Sequence, residues 1–496
     1  MRIVCWGLVS LVITGAGCGG GLGKADGGGG SGGAGGDPNR WTGVLSPSIN
    51  RNVDIVFLID DSSSMGLAQD NLLQAFPAFM TRLQDPPGLP NVHVAVVSQD
   101  MGAGDGSITT CDSHGGKNGI FQYTPRGNCV ATNLQAGATF ISDIAGTRNY
   151  TGDIANVFSC IAALGSSGCG FEHQFAALLR ALGADGKAAP PENQGFLRPD
   201  AYLAVVMLTN EDDCSAVPGS QLFDTSTNMN IASQFGPPAS FRCNEFGHLC
   251  DDGSGNMVRP SRLAPNNDVM TTVTYPSCTS NETGQYLLKV ADTANAIKAL
   301  KSDPAQVAVI SIQGQATPYT VTWRNPSSPD GDRSCGAASC PWPVIEHSCM
   351  AADGSFADPG VRTTEFVQAF GENGLVLPIC SDNLAPALDR AAMMINSLLE
   401  PRCVPGLIGD DAKTGLPDCK VTMHTRDGQG GVVEKAVPAC ADTGGAAPCW
   451  QLTKTAICGA ASVLDVSPDP TLPAASGAWV SYDCAKCLST DSLGCH

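Results

Sequence analysis

Charge is scarce in this chain. Asp, Glu, Lys and Arg make up 15% of its 496 residues, against about 25% in an ordinary soluble domain. Ion pairs therefore cannot supply most of its cohesion, and cross-links are expected to supplement the core. The charge present runs one way: 28 Lys and Arg against 47 Asp and Glu, a formal net of −19. That balance argues against nucleic acid and anionic lipid as partners. No stretch reaches the roughly 18 apolar residues of a membrane span. Catalytic signatures are missing as well. The sequence contains no P-loop, no His-Glu-x-x-His, and no nucleophile motif in a strand–turn–helix setting. Gly29-Gly30-Ser31-Gly32-Gly33 fits G-x-S-x-G in letters only, because no strand precedes it. The 7 histidines are scattered, none paired with a second ligand at helical spacing. The chain is read as a non-enzyme, with a metal-dependent hydrolase as the lesser alternative.

Cysteine, by contrast, is abundant. Of 22 cysteines, 20 remain once Cys5 and Cys18 are set aside: twelve from Cys111 to Cys380 and eight from Cys403 to Cys495. Even counts behind an export signal point to disulfides formed within each region. The export signal itself is Arg2 followed by the short apolar segment Ile3 to Ile13, too short to span a bilayer. It ends in Ile13-Thr14-Gly15-Ala16-Gly17-Cys18, which resembles a bacterial lipobox with Cys18 as the lipidated residue. Membrane association is then expected through that anchor alone, at the bacterial cell surface or outer membrane, with plain secretion as the alternative. Residues 19–49 begin with a Gly-rich run that cannot bury enough apolar area to fold, and read as a tether.

The stretch that organises the rest is Val53-Asp54-Ile55-Val56-Phe57-Leu58-Ile59-Asp60-Asp61-Ser62-Ser63-Ser64-Met65-Gly66. Its first half is apolar on both faces, as in a strand buried between helices of a parallel sheet. Its second half turns to acids and hydroxyls, and a helical pattern follows. Ligands of such sheets gather beyond the carboxyl ends of the strands. Alternate residues of a near-extended loop turn Asp60, Ser62 and Ser64 toward one point, giving one charged and two neutral oxygens. That set suits a hard divalent cation, Mg²⁺ or else Mn²⁺ or Ca²⁺. The plainer alternative is that the serines cap the next helix.

This motif resembles the first motif of the von Willebrand factor A domain, whose metal-ion-dependent adhesion site reads D-x-S-x-S; the chain is similar to Cys-rich bacterial lipoproteins carrying that domain. The resemblance implies a doubly wound α/β fold with a mostly parallel sheet over residues 50–402, with insertions at about 102–150, 214–284 and 316–360. It implies a protein ligand bound through the metal, with an acidic residue of the partner drawn to the cation. The family's second motif is a Thr in a Gly-rich loop before a helix, and Glu172 falls there. The third is an Asp after a strand, where Asn210 stands with Glu211, Asp212 and Asp213 behind it. The implied metal set is Asp60, Ser62, Ser64, Glu172, Asn210 and Asp212. The bland readings are a helix first turn that favours an acid for Glu172 and a solvated acidic loop for 210–213. A surface structural protein with a vestigial site is the alternative function.

Other segments read as scaffold. Helical faces run through Leu72, Phe76, Phe79 and Leu83, where Pro77 is expected to kink the chain, and through Ile154, Val157, Phe158 and Ile161. Apolar runs at 92–97, 202–208, 307–312 and 374–379 read as strands, with Pro378 suited to an edge and His93 to packing. Cys111 and Cys129 read as the staple of the first insertion, and no helical period shows between Pro218 and Asn281. Asp251 to Asn256 reads as a turn rather than a Ca²⁺ loop. Residues 403–496 read as a disulfide-dense module in which bridges are favoured over zinc at Cys484 and Cys487.

Overall fold

The computed structural model describes residues 37–495, except 38, 46–49, 85–87, 105–107, 109, 112–114, 227–230, 268–270, 325–340, 400–402, 412, 427–431, 455–461, 468–478 and 488–494. The export segment, Cys18 and the Gly-rich run thus lie outside the described residues.

Strand β1 (Arg40–Leu45) belongs to a C-terminal sheet taken up below. The organising stretch forms β2 (Asn52–Ile59), flanked by parallel neighbours β3 (Asn91–Ser98) and, further along the chain, β6 (Tyr202–Leu208). Between them in sequence, β4 (Ile141–Ile144) pairs antiparallel with β3 and makes a hairpin with β5 (Thr147–Arg148). Parallel strands Val307–Gln313 and Gly374–Pro378 continue the sheet beyond β6. The spatial order is Gly374–Pro378, Val307–Gln313, β6, β2, β3, β4, β5, so Pro378 does lie on an edge strand. The chain leaves β2 toward β3 and later returns to β2's other side as β6. The topological switch point, where open α/β sheets bind ligands, therefore lies beyond the ends of β2 and β6.

Helices cover both faces: α1 (Gly66–Leu83), α2 (Ile154–Ala162), α3 (Gln174–Leu182), α5 (Val290–Lys298), α6 (Val361–Gln368) and α7 (Ala385–Leu399), while the short α4 (Phe241–Gly247) packs within the inserted segments. Side chains alternate along β2. Val53, Ile55, Phe57 and Ile59 enter the core beneath α1, α2 and α7, while Val56 and Leu58 enter the one beneath α3, α5 and α6. That two-sided burial is why the strand lacks polar alternation. Phe57 meets Phe76, Phe79 and Phe158 edge-on at centroid distances of 5.7, 5.5 and 4.8 Å. Pro77 sits inside α1, which runs past it as one helix. His93 packs as expected, its Nδ1 at 2.8 Å from the Phe196 carbonyl.

The insertions depart from the sequence reading in three ways. Residues 102–150 end in the β4–β5 hairpin and so complete the main sheet rather than merely decorating it. Cys111 and Cys129 do not pair with each other: Cys111 bonds Cys169 and Cys129 bonds Cys160, tying the segment to the loop before α3 and to α2. Residues 214–284 do contain a helix, α4, too short to show a period. This segment and the one at 316–360 meet in one antiparallel sheet, Thr272–Tyr275 against Tyr319–Arg324 against Trp342–Ile345.

Beyond α7 the structure is β-rich. Cys419–Arg426 pairs with Val432–Val437 on one side and Trp479–Ala485 on the other, and β1 completes the sheet against Trp479–Ala485. Residues 40–45 are therefore part of a folded sheet and not of a free tether. The reason lies in two side chains. Arg40 reaches Asp418 at 3.1 Å and also bonds Asp483, and Trp41 packs on this sheet's core with Lys486 4.3 Å over its ring. Cys484 bonds Cys419 and Cys487 bonds Cys495, so bridges occupy both sulfurs considered for zinc. Every described bridge, including Cys214–Cys243, Cys250–Cys278, Cys349–Cys380 and Cys440–Cys449, stays within its own region.

Candidate metal centre

Asp60 leaves the end of β2 fully buried, its backbone N–H donating to the Leu208 carbonyl at 2.9 Å across the switch point. Its carboxylate is held from three elements. Oδ1 accepts from the Ser62 amide and from Gln99 Nε2, both at 2.8 Å, and Oδ2 accepts from the Thr209 hydroxyl at 2.9 Å. The Ser62 and Ser64 hydroxyls stand 3.3 Å apart. Ser64 also meets the Asn210 side chain, with Nδ2 donating to Oγ at 3.0 Å. The serines do not cap α1: Met65 occupies that position, with no side-chain cap. Asp60, Ser62, Ser64 and Asn210 are thus linked through short polar contacts, as the motif spacing implies.

Glu172 comes near this group along another route, close enough for the Asp60 charge to act on it. Asp61 turns beneath the loop, accepting from Ser98 Oγ at 2.7 Å and pairing with Lys117. Its carbonyl accepts from the Gly168 amide at 2.7 Å. A Cβ on Gly168 would stand 2.5 Å from Asp61 Oδ1, so only glycine permits this approach. Cys169 is further pinned to Cys111. The loop leading into α3 is therefore clamped against the D-x-S-x-S loop, and Glu172 is left 2% exposed with Oε1 lacking any hydrogen-bond partner.

Asp212 goes elsewhere. Its Oδ2 accepts from His248 Nε2 and from the Arg362 amide, both at 2.8 Å, and Oδ1 from the Thr363 amide at 2.9 Å. It anchors the first turn of α6 and the 214–284 insertion, and is not joined to the Asp60 group by any of these contacts. Asp213 is likewise engaged by Arg362 at 3.1 Å.

Glu211, directly before it, is the acid that joins Glu172. Burial, then the charges of Asp358 and Asp60, push its carboxyl up to about 8. Glu172 is raised well above the usual carboxylate range by burial and by the charges of Glu211 and Asp60. Burial likewise pushes Asp60 up to about 6, against the bonds from Ser62 and Thr209 that favour its charge. Three carboxyls that each resist ionisation, chiefly because burial removes them from water, form a region that favours an added positive charge. Among the described residues, however, no three His, Cys, Asp or Glu side chains are already gathered as they would be around a metal ion.

Sequence reasoning missed Gln99 and Thr209 as members of the group, and placed Glu211 only as one of the acids behind Asn210. Gln99 and Thr209 each directly follow a parallel strand, which is the position that should have drawn notice. Thr209 is notable because a Thr hydroxyl is present after all, supplied by a different element from the family's motif and given to Asp60.

No protein-family model matches this sequence, and no curated protein does. Among solved structures, it is similar to the pilus adhesin SpaC from Lactobacillus rhamnosus GG in its open conformation, at 12% identity and a TM-score of 0.27, covering 90% of this chain and 43% of that one. It is similar to the pilus adhesin RrgA from Streptococcus pneumoniae at 10% identity and a TM-score of 0.25, covering 90% and 57%. The human COPII-coat protein Sec24c gives 8% and 0.25, covering 91% and 42%. The chain thus spans about half the length of these structures. Likeness at this level carries no argument, and the functional reading stands on the site.

Proposed function

We propose that this chain is an exported, von Willebrand factor A-like binding protein that presents a divalent cation, Mg²⁺ or Mn²⁺, to a protein ligand at the switch point. The observation that carries this is the convergence of Asp60, Ser62, Ser64 and Asn210 beyond β2 and β6, beside a fully buried Glu172 whose Oε1 has no partner. The donor set fits the ion: neutral hydroxyls, an amide oxygen and carboxylates are what a hard cation takes. Asp60, Ser62, Ser64, Asn210 and Glu172 would hold it, and the bound ion would supply positive charge for an oxygen of the partner. The unshared oxygen of Glu172 makes sense when a cation completes it, since an orphaned buried polar atom otherwise costs about 1–3 kcal/mol. Mn²⁺ titration followed by electron paramagnetic resonance tests the ion. Capture of surface proteins with Mg²⁺ and with chelator tests the partner.

Export is supported by the described bridges, and anchoring at Cys18 remains part of the proposal. Mass spectrometry of the native N-terminus decides it: an acylated Cys18 supports the anchor, and a free amine at another residue rejects it. A second reading, a structural surface protein with a vestigial site, is favoured by one observation. Both Asp60 oxygens already have partners within the chain. Absence of any bound ion at millimolar Mn²⁺ would decide for it.

A further inference from the structure

Next to the switch-point oxygens is a small cavity, with room for about one water-sized group. It shares Glu172 with the metal centre but none of Asp60, Ser62 or Ser64. Of its acidic lining, Asp212 and Asp213 are committed, to His248 and the start of α6 and to Arg362 respectively. Glu172, Glu211 and Asp358 are less fully met: Glu172 and Glu211 hydrogen-bond each other, and Asp358 pairs through one oxygen with His347. Glu172 Oε1 is buried and unpartnered. Asp358 has one oxygen on His347 Nδ1 at 2.7 Å, toward the exposed side. No Lys or Arg is among the described residues that line the cavity, and its one imidazole, His248, has both ring nitrogens engaged, by Asp212 and Tyr319.

We propose that this cavity takes the ammonium group of a lysine side chain from the protein partner. The inference rests on the reading of this end of the sheet as the protein-binding face, and adds what the partner must carry there: a base, next to the acid that the metal draws in. An ammonium has three donors and no acceptor, matching Glu211, Asp358 and the lone pair of Glu172 Oε1 that the metal leaves free. It is compact, where a guanidinium is a planar fork that needs more room than one water leaves. A second metal ion fits less well, since it takes its oxygens at about 2.0–2.6 Å, whereas charge-assisted N–H bonds span a longer distance, about 2.7–2.9 Å.

The test uses the full chain and four small probes observed by NMR titration: the N-acetyl methylamides of lysine, norleucine, arginine and glutamate. The lysine probe should bind and the other three should not, and Asp358→Asn should weaken the lysine probe at least tenfold. Glu211→Gln provides a second variant if Asp358→Asn does not fold, as judged by its near-ultraviolet circular dichroism. Equal binding of norleucine or arginine, preference for glutamate, displacement of the lysine probe by submillimolar Ca²⁺, or no loss in a folded variant would each overturn the proposal. Mg²⁺ calorimetry on Asp358→Asn keeps the two claims apart: lysine binding lost with Mg²⁺ binding retained is the expected pattern. Lysine binding with no Mg²⁺ binding in the wild type would remove the metal reading and leave this one standing.

Discussion

Arg198→Ala should be among the most destabilising single substitutions outside the apolar core. Asp54, the acid through which β2 begins, is completely buried at the end of the strand opposite the metal centre. Arg198 holds it through Nε and through its own amide, both at 2.7 Å, and its Nη2 bonds the carbonyls of Val53 at 2.9 Å and Asn91 at 3.0 Å. Lys301 stands at 3.7 Å and His93 at 3.6 Å, too far to replace those bonds. Burial already outweighs the pairing, because the Asp54 carboxyl is raised above its ordinary value despite Arg198. The pair is therefore not a large net source of stability, yet removing Arg198 strips the buried carboxylate of its hydrogen-bonded partner and leaves it only the Lys301 charge at 3.7 Å, a loss of up to about 3–5 kcal/mol. Urea unfolding at neutral pH with bridges intact should show that loss. The double change Asp54→Asn with Arg198→Met should recover part of it, since most of the buried ionic group is then replaced, while Lys301, buried 3.7 Å from Asp54, loses its carboxylate. A single-variant cost below about 1 kcal/mol would refute the burial argument, and so would a double variant less stable than Arg198→Ala.

Three further outcomes follow from the packing. Phe76→Ala should cost about 3–5 kcal/mol, since Phe76 is fully buried and stacks on Phe158 at 3.6 Å; thermal unfolding checks it. Burial lowers His93 to about 4, so between about 4 and its unfolded value near 6.5 the folded state binds fewer protons. Stability should then fall as pH falls through that window, by about 3 kcal/mol in all, and His93→Gln should remove that contribution from the pH–stability curve. Removing the chain up to residue 45 should make the region after Cys403 sensitive to limited proteolysis while leaving the main sheet protected, because β1 pairs along its whole length with Trp479–Ala485.

The parallel sheet was legible because its strands are buried on both faces, and continuous apolar runs such as 53–59 and 202–208 have few other uses in a chain with helical periods between them. The four oxygens of Asp60, Ser62, Ser64 and Asn210 were legible because they sit one or two residues apart or directly after a strand. What failed was long-range. Nothing local in Arg40 and Trp41 says that they join a sheet more than 370 residues away, and disulfide partners cannot be read from spacing, as Cys111 shows. Asp212 and Glu211 are neighbours in one acidic run, and only the position of α6 decides which of them turns toward the site. Asp212 meets the free amides of Arg362 and Thr363, as an acid at a helix start is expected to, and that leaves Glu211 for Glu172.

The central claim is that the oxygens beyond β2 and β6 hold a divalent cation, and isothermal calorimetry with Mg²⁺ and Mn²⁺ on the wild type, Asp60→Ala and Asp212→Asn tests it most directly. The account predicts one saturable site in the wild type, its loss in a folded Asp60→Ala, and its retention in a folded Asp212→Asn, whose side chain serves α6 and His248 instead. No binding by the wild type at millimolar ion, or binding that survives Asp60→Ala unchanged, would contradict it.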